Sequence, residues 1–150
     1  MGILTARMLA AGAVLCWTAS WFLPVIEHYS GWAAFRAALA GPFNEGYPGR
    51  GQESIPQLLS ALTNVAFVIM IHGWYHRRVR NPAMFLKVAI ACLVINLYWP
   101  VQMIRAGVRD GLLIGFYAWL AAFALLLALA AVIAVSDRRT SKTPTGGTPA

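Results

Sequence analysis

Charge is what this chain has least of. Only 11% of its 150 residues are Asp, Glu, Lys or Arg, five of them acidic, while 59% are hydrophobic. A soluble domain usually carries about 25% charged residues. Too little charge is present to dress a water-facing surface. Cysteine is scarce as well. Cys16 and Cys92 both lie inside hydrophobic runs and form no C-x-x-C, which excludes a disulfide framework and favours two small buried apolar side chains. Leu15 occupies the position where a lipoprotein signal would carry a small residue. The A-x-A of Ala38–Ala40 lies well past the first apolar run, so that run is expected to stay rather than be cleaved. No Asp or Glu falls within any hydrophobic run, which argues against a proton relay or cation pathway. Nucleophile motifs, phosphate loops and paired carboxylates are missing too. Nothing in the chain specifies a reaction, and an enzymatic role is the least supported reading.

Long apolar runs are present in their place. Leu112–Val135 holds 24 residues without a formal charge; as a helix it measures about 36 Å, enough to cross a hydrocarbon core of about 30 Å. Met8–Ile26, Gln57–Tyr75 and Met84–Ile104 have comparable length. The expected fold is all-α: four transmembrane helices over residues 8–26, 57–75, 84–104 and 112–135, in an up-down-up-down bundle because their connections are short. Between the first two runs, Trp32, Phe35 and Leu39 recur at helical spacing in a segment too short to span, ended by Gly41-Pro42. That pattern predicts a short interfacial helix. The Gly- and Pro-rich residues 43–56 read as loop. Asn81-Pro82 should open the third span, and Lys87, one turn in, can snorkel to the phosphates. The tail, 136–150, is polar and expected to be disordered and cytoplasmic.

The net charge of +7 is unevenly spread. Its basic residues sit in short clusters beside apolar runs, as topology determinants do, and not on a face suited to nucleic acid. With four spans both termini share a side. If that side is the cytoplasm, Arg7, Arg77, Arg78, Arg80, Lys87, Arg138, Arg139 and Lys142 lie inside. Only Arg36, Arg50, Arg105 and Arg109 lie outside, where Glu27, Glu45, Glu53 and Asp110 cancel them. The asymmetry predicts a multi-pass protein of a bacterial inner membrane with both termini cytoplasmic.

Several short motifs carry a resemblance. They are Leu23-Pro24, Gly31-Trp32-Ala33-Ala34, Ser60-Ala61-Leu62-Thr63-Asn64 and Gly115-Phe116-Tyr117-Ala118-Trp119. With them, the stretch from about residue 20 to 135 resembles small uncharacterised bacterial inner-membrane proteins. The resemblance implies four spans and supplies no activity.

Few side chains could carry chemistry. His72 and His76 stand at i and i+4 on one helix end, and His28 is on the opposite side, so they cannot flank a haem. No metal site is expected, and the chain names no cofactor. Thr18, Asn64, Asn96 and Trp119 offer one hydrogen-bonding side chain per span at nearly one depth, about 10–12 Å below the outer boundary. Pro100 has no N–H for the Asn96 carbonyl, which adds a free acceptor there. This polar layer reads as a structural clasp or as a small outward-facing ligand pocket. Trp21, Trp32, Trp99, Trp119, Tyr29, Tyr98 and Tyr117 gather in the same outer region as an aromatic belt. The expected role is a structural or accessory subunit of a larger inner-membrane complex, with the bilayer and other membrane subunits as partners. The alternative is a binder of a lipid-like or quinone-like ligand in the outer half.

Overall fold

A computed structural model describes residues 3–26, 29–40, 54–76, 78–105 and 112–140. Five helices account for most of them: α1 (Ile3–Phe22), α2 (Gly31–Ala40), α3 (Ser54–Tyr75), α4 (Pro82–Arg105) and α5 (Ile114–Thr140). Three are long and apolar enough to cross a membrane, over Ile55–Tyr75, Pro82–Arg105 and Ile114–Asp137. The 20-residue α1, with Arg7 in its second turn, is not among these three.

Helix boundaries follow local rules. The expected first span ran on to Ile26; α1 instead stops at Phe22. Pro24 explains the stop, because its ring disfavours α geometry at the preceding Leu23. Pro24–Ile26 forms a strand, β1, paired antiparallel with β2 (Tyr29–Ser30) in a small hairpin that was not foreseen. Proline is tolerated at the first position of a strand. α3 begins at Ser54, so Pro56 lies in its first turn and not in the loop expected there; the N–H it lacks would have had no helical partner. Gly41-Pro42 and residues 43–53 of that loop lie outside the described ones. Asn81 caps α4, its Oδ1 accepting from the Met84 N–H at 3.0 Å, with Pro82 at the first helical position. α5 runs to Thr140, past the expected end at Val135 and into the segment read as disordered tail. The remaining tail, 141–150, is outside the described residues.

α5 is the central element. It packs against α1 and α4, while α3 packs against α4 and α2. The core joins Ala10 and Ala13 of α1, Phe67 and Met70 of α3, Ala89 and Cys92 of α4, and Ala122, Phe123, Leu126, Leu129 and Ala130 of α5. Small residues let α1 approach α5 closely: a Cβ on Gly12 would come within 3.3 Å of Leu125 Cδ1.

The hairpin and α2 close one end of this assembly. Gly31 N–H donates to Leu23 O at 3.1 Å, and Leu113 N–H donates to Val25 O at 2.8 Å, tying the end of α1 and the lead into α5 to the hairpin. Two glycines make the fit possible. A Cβ on Gly31 would lie 2.1 Å from Ser20 O, and one on Gly115 would lie 2.6 Å from Pro24 O. Backbone, not a movable side chain, stands in the way at both.

Candidate functional site: a hydrogen-bonded layer beneath a roofed cavity

The polar side chains of the hairpin end converge on one face of α3. Ser60, Thr63 and Asn64 are buried there, three and four residues apart as one helical stripe requires. Ser60 and Thr63 are met from α4, and Asn64 from both α1 and α5. Asn64 Oδ1 accepts two indole N–H groups, from Trp17 of α1 at 2.9 Å and Trp119 of α5 at 3.0 Å. Its amide nitrogen turns back to the Ala61 and Ser60 carbonyls at 3.3 and 3.5 Å. Trp99 of α4 donates to Ser60 Oγ at 2.8 Å. Thr63 donates its one hydroxyl proton to Ser60 O at 2.6 Å, leaving its lone pairs to accept from Asn96 Nδ2 at 3.3 Å.

Three of the four expected layer residues stand in this network. Asn64 and Asn96 are both buried, at 8% and 0% exposure, and Trp119 is partly buried. One of the four needs correction. Thr18 is exposed; the α1 member is its neighbour Trp17, rotated about 100° around the helix. No hydrogen bond joins Asn64 to Asn96, because each amide is engaged by its own partners. Ser60, Thr63 and Trp99 were not foreseen as members. Their i, i+3, i+4 spacing with Asn64 on α3 was the available signal for the first two.

Aromatic rings extend the layer toward the roof. Trp17 stacks on Phe67 with centroids 5.3 Å apart and an interplanar angle of 12°. Trp21 sits between Trp17, Trp32 and Phe35 at 5.1, 5.6 and 5.0 Å. Of the expected interfacial trio, Trp32 is exposed, whereas Phe35 and Leu39 are partly buried. Trp32 and Phe35 thus join α2 to the last turn of α1.

Between this roof and the polar layer lies a cavity of about 380 Å³. Trp21, Phe35, Trp99, Phe116 and Trp119 give it aromatic walls, and Ser20, Gln57, Ser60 and Asn64 give it polar atoms. No Asp, Glu, Lys, Arg or His belongs to its described lining. Most of the polar atoms are already engaged: Ser20 Oγ donates to Trp17 O at 2.7 Å, and Asn64 and Trp99 are held as above. Trp21 is different. Its Nε1 is buried and has no hydrogen-bond partner, alone among the described residues.

The opposite end offers less. His72 and His76 are exposed, with ring centroids 4.3 Å apart, and His28 lies outside the described residues. Among the described residues no three His, Cys, Asp or Glu side chains are grouped to hold a metal. No protein-family model, no curated protein and no solved structure matches the chain.

Proposed function

We propose that this is a bacterial inner-membrane protein that holds an uncharged amphipathic molecule, lipid-like or quinone-like, in the cavity at its outer end. In this reading α1, α3, α4 and α5 all span, as an up-down-up-down bundle with both termini cytoplasmic and α2 at the outer interface. The contacts support it: the C-terminal ends of α1 and α4 bond to the N-terminal part of α3, and the lead into α5 bonds to the hairpin. The lysine and arginine asymmetry supports the orientation.

The cavity is the observation that carries the functional reading. At about 380 Å³ it falls in the range of ligand sites, roughly 300–1,000 Å³. Aromatic walls with a few convergent polar atoms are the composition such sites have. The competing reading is a structural or accessory subunit of a larger inner-membrane complex. It draws on the exposed apolar faces of α3 and α4, such as Val65 and Ile69 or Val94 and Val101, which suit lipid equally well.

Gentle purification followed by native mass spectrometry separates the two. A stoichiometric small hydrophobic molecule, lost when the cavity is filled by Ala61→Phe, is the expected result. A co-purifying membrane subunit with no small molecule would replace the ligand reading with the accessory one.

A further inference from the structure

We infer that the cavity holds the glycerol head of a lipid, its hydroxyls gripped by the side-chain amide of Gln57 and the hydroxyl of Ser60. The inference rests on the ligand reading above and narrows its chemistry.

Most polar groups around the cavity are already engaged. Trp17, Trp99 and Trp119 spend their N–H groups within the protein, and the Trp21 nitrogen is sealed off by its own surroundings. Gln57 is the exception. It lines the cavity, is partly buried, and its amide makes no hydrogen bond to the described residues. Nor is that amide closed off as the Trp21 nitrogen is. It offers two donors and an acceptor. Ser60 lines the cavity one turn further along α3. Its Oγ accepts from Trp99, and its own proton has no acceptor among the described residues. Side chains three apart on a helix are neighbours, about 5–6 Å between Cβ atoms, and the Gln57 side chain is long enough to close that gap. The two residues form one polar strip on α3.

The strip selects by the kind of hydrogen bond it can complete. An ester or a quinone brings acceptors alone and leaves the Gln57 amide oxygen without a donor. An alcohol both donates and accepts. Its proton goes to Gln57 Oε1, and its oxygen accepts from Gln57 Nε2 or Ser60 Oγ, so two adjacent hydroxyls use the whole strip. The remaining walls include the apolar side chains of Phe35, Met103, Leu112 and Phe116. Water satisfies Gln57 as an alcohol does but leaves those walls wet. A glycerol head with an attached acyl chain engages strip and walls together. The diol is common to monoacylglycerols and to the terminal glycerol of phosphatidylglycerol.

The test uses the full chain in detergent, read by native mass spectrometry. The probes are monooleoylglycerol, methyl oleate (the same acyl chain without the diol), decyl-benzoquinone and dioleoyl-phosphatidylglycerol. Wild type should take up one monooleoylglycerol per chain, and methyl oleate more weakly. Gln57→Met keeps the length of the side chain and breaks no bond of the protein. It should weaken monooleoylglycerol uptake by about 3- to 10-fold, the equivalent of one hydrogen bond, and leave methyl oleate unchanged. With ¹⁵N-labelled glutamine, the side-chain amide resonance that Gln57→Met removes should move on adding monooleoylglycerol to the wild type. Equal affinity in Gln57→Met, methyl oleate bound as tightly as monooleoylglycerol, or an unmoved Gln57 amide would overturn the inference. Phosphatidylglycerol bound in place of monooleoylglycerol, with the same dependence on Gln57, would keep the diol and overturn the uncharged ligand. Should methyl oleate or the quinone bind at one per chain while neither diol does, the glycerol assignment fails and the ligand reading stands. Should no probe bind, both fail.

Discussion

The two ends of the helical assembly are held together by different physics. At the hairpin end, α3 is tied to α1, α4 and α5 by side-chain hydrogen bonds, four indoles and two asparagines crowd together, and a cavity remains. Toward the other end, the core contacts are Ala10, Ala13, Phe67, Met70, Ala89, Leu126, Leu129 and Ala130. The packed end is filled by small and aliphatic groups whose gain is dispersion, short-ranged but indifferent to direction. The hairpin end depends on direction, and directional bonds leave room between them. A site needs room and oriented polar atoms, so the chain keeps close packing at one end and chemistry at the other.

The sharpest way to break this contrast is at Asn64. Asn64→Leu strips two indole N–H groups of their acceptor at once, each loss being worth about 1–3 kcal/mol. A destabilisation of about 2–4 kcal/mol is expected from denaturant titration in detergent, with a blue-shifted or broadened tryptophan emission reporting the hairpin end. A loss no greater than that of an exposed substitution such as Val65→Ala would mean that the double-indole acceptor does not hold these helices.

Gly31→Ala tests the roof. Its new Cβ would meet the Ser20 carbonyl oxygen at 2.1 Å, and overpacking against backbone costs about 1–3 kcal/mol. The roof should lift, so cleavage by an added protease near residues 41–53 should quicken while far-ultraviolet circular dichroism holds. Unchanged cleavage and stability would show that α2 does not rest on α1.

Asn96→Leu comes next, at about 0.6–2 kcal/mol, the range for a single bond between membrane helices. Asn64 Nδ2 and the Thr63 hydroxyl that Asn96 engages both donate to Ser60 O, so the two sites belong to one network and the double substitution should cost less than the sum of the single ones. Full additivity would show that the two amides act independently.

The smallest effect has the opposite sign. A Cβ on Gly73, in α3 away from the hairpin, meets nothing within 4 Å. Gly73→Ala should therefore stabilise by about 0.5–1 kcal/mol through helix propensity alone, measured in the same titration. Destabilisation there would show that the far end of α3 is more closely packed than the contacts indicate.

Much of the architecture could be read along the chain, because it depends on short-range rules. Runs of apolar residues predict α3, α4 and α5 within a few residues, and the spacing of Trp32, Phe35 and Leu39 predicts α2. Boundaries were less legible where two rules compete. Around Pro24 an apolar run argues for continued helix, and the proline argues for a stop; the proline prevailed, and the freed residues paired as a hairpin. That Asn64 and Trp119 stand at one level was legible too, since level along a helix is only a count of residues from its end.

Which side chains meet at that depth was decided by the tertiary structure. In a water-facing helix the polar side marks the outside, so periodicity reveals the buried face. Along α1, apolar residues surround the helix almost evenly, and no sequence pattern separates Thr18 from Trp17. Only packing against α5 turned Trp17 toward Asn64 and left Thr18 outward. The chain by itself determined that it is built of long apolar helices with hydrogen-bonding groups near one end. The rotation of each helix, the two indoles sharing one amide oxygen, and the cavity beneath its roof came from contacts between residues distant in sequence, which local rules do not encode.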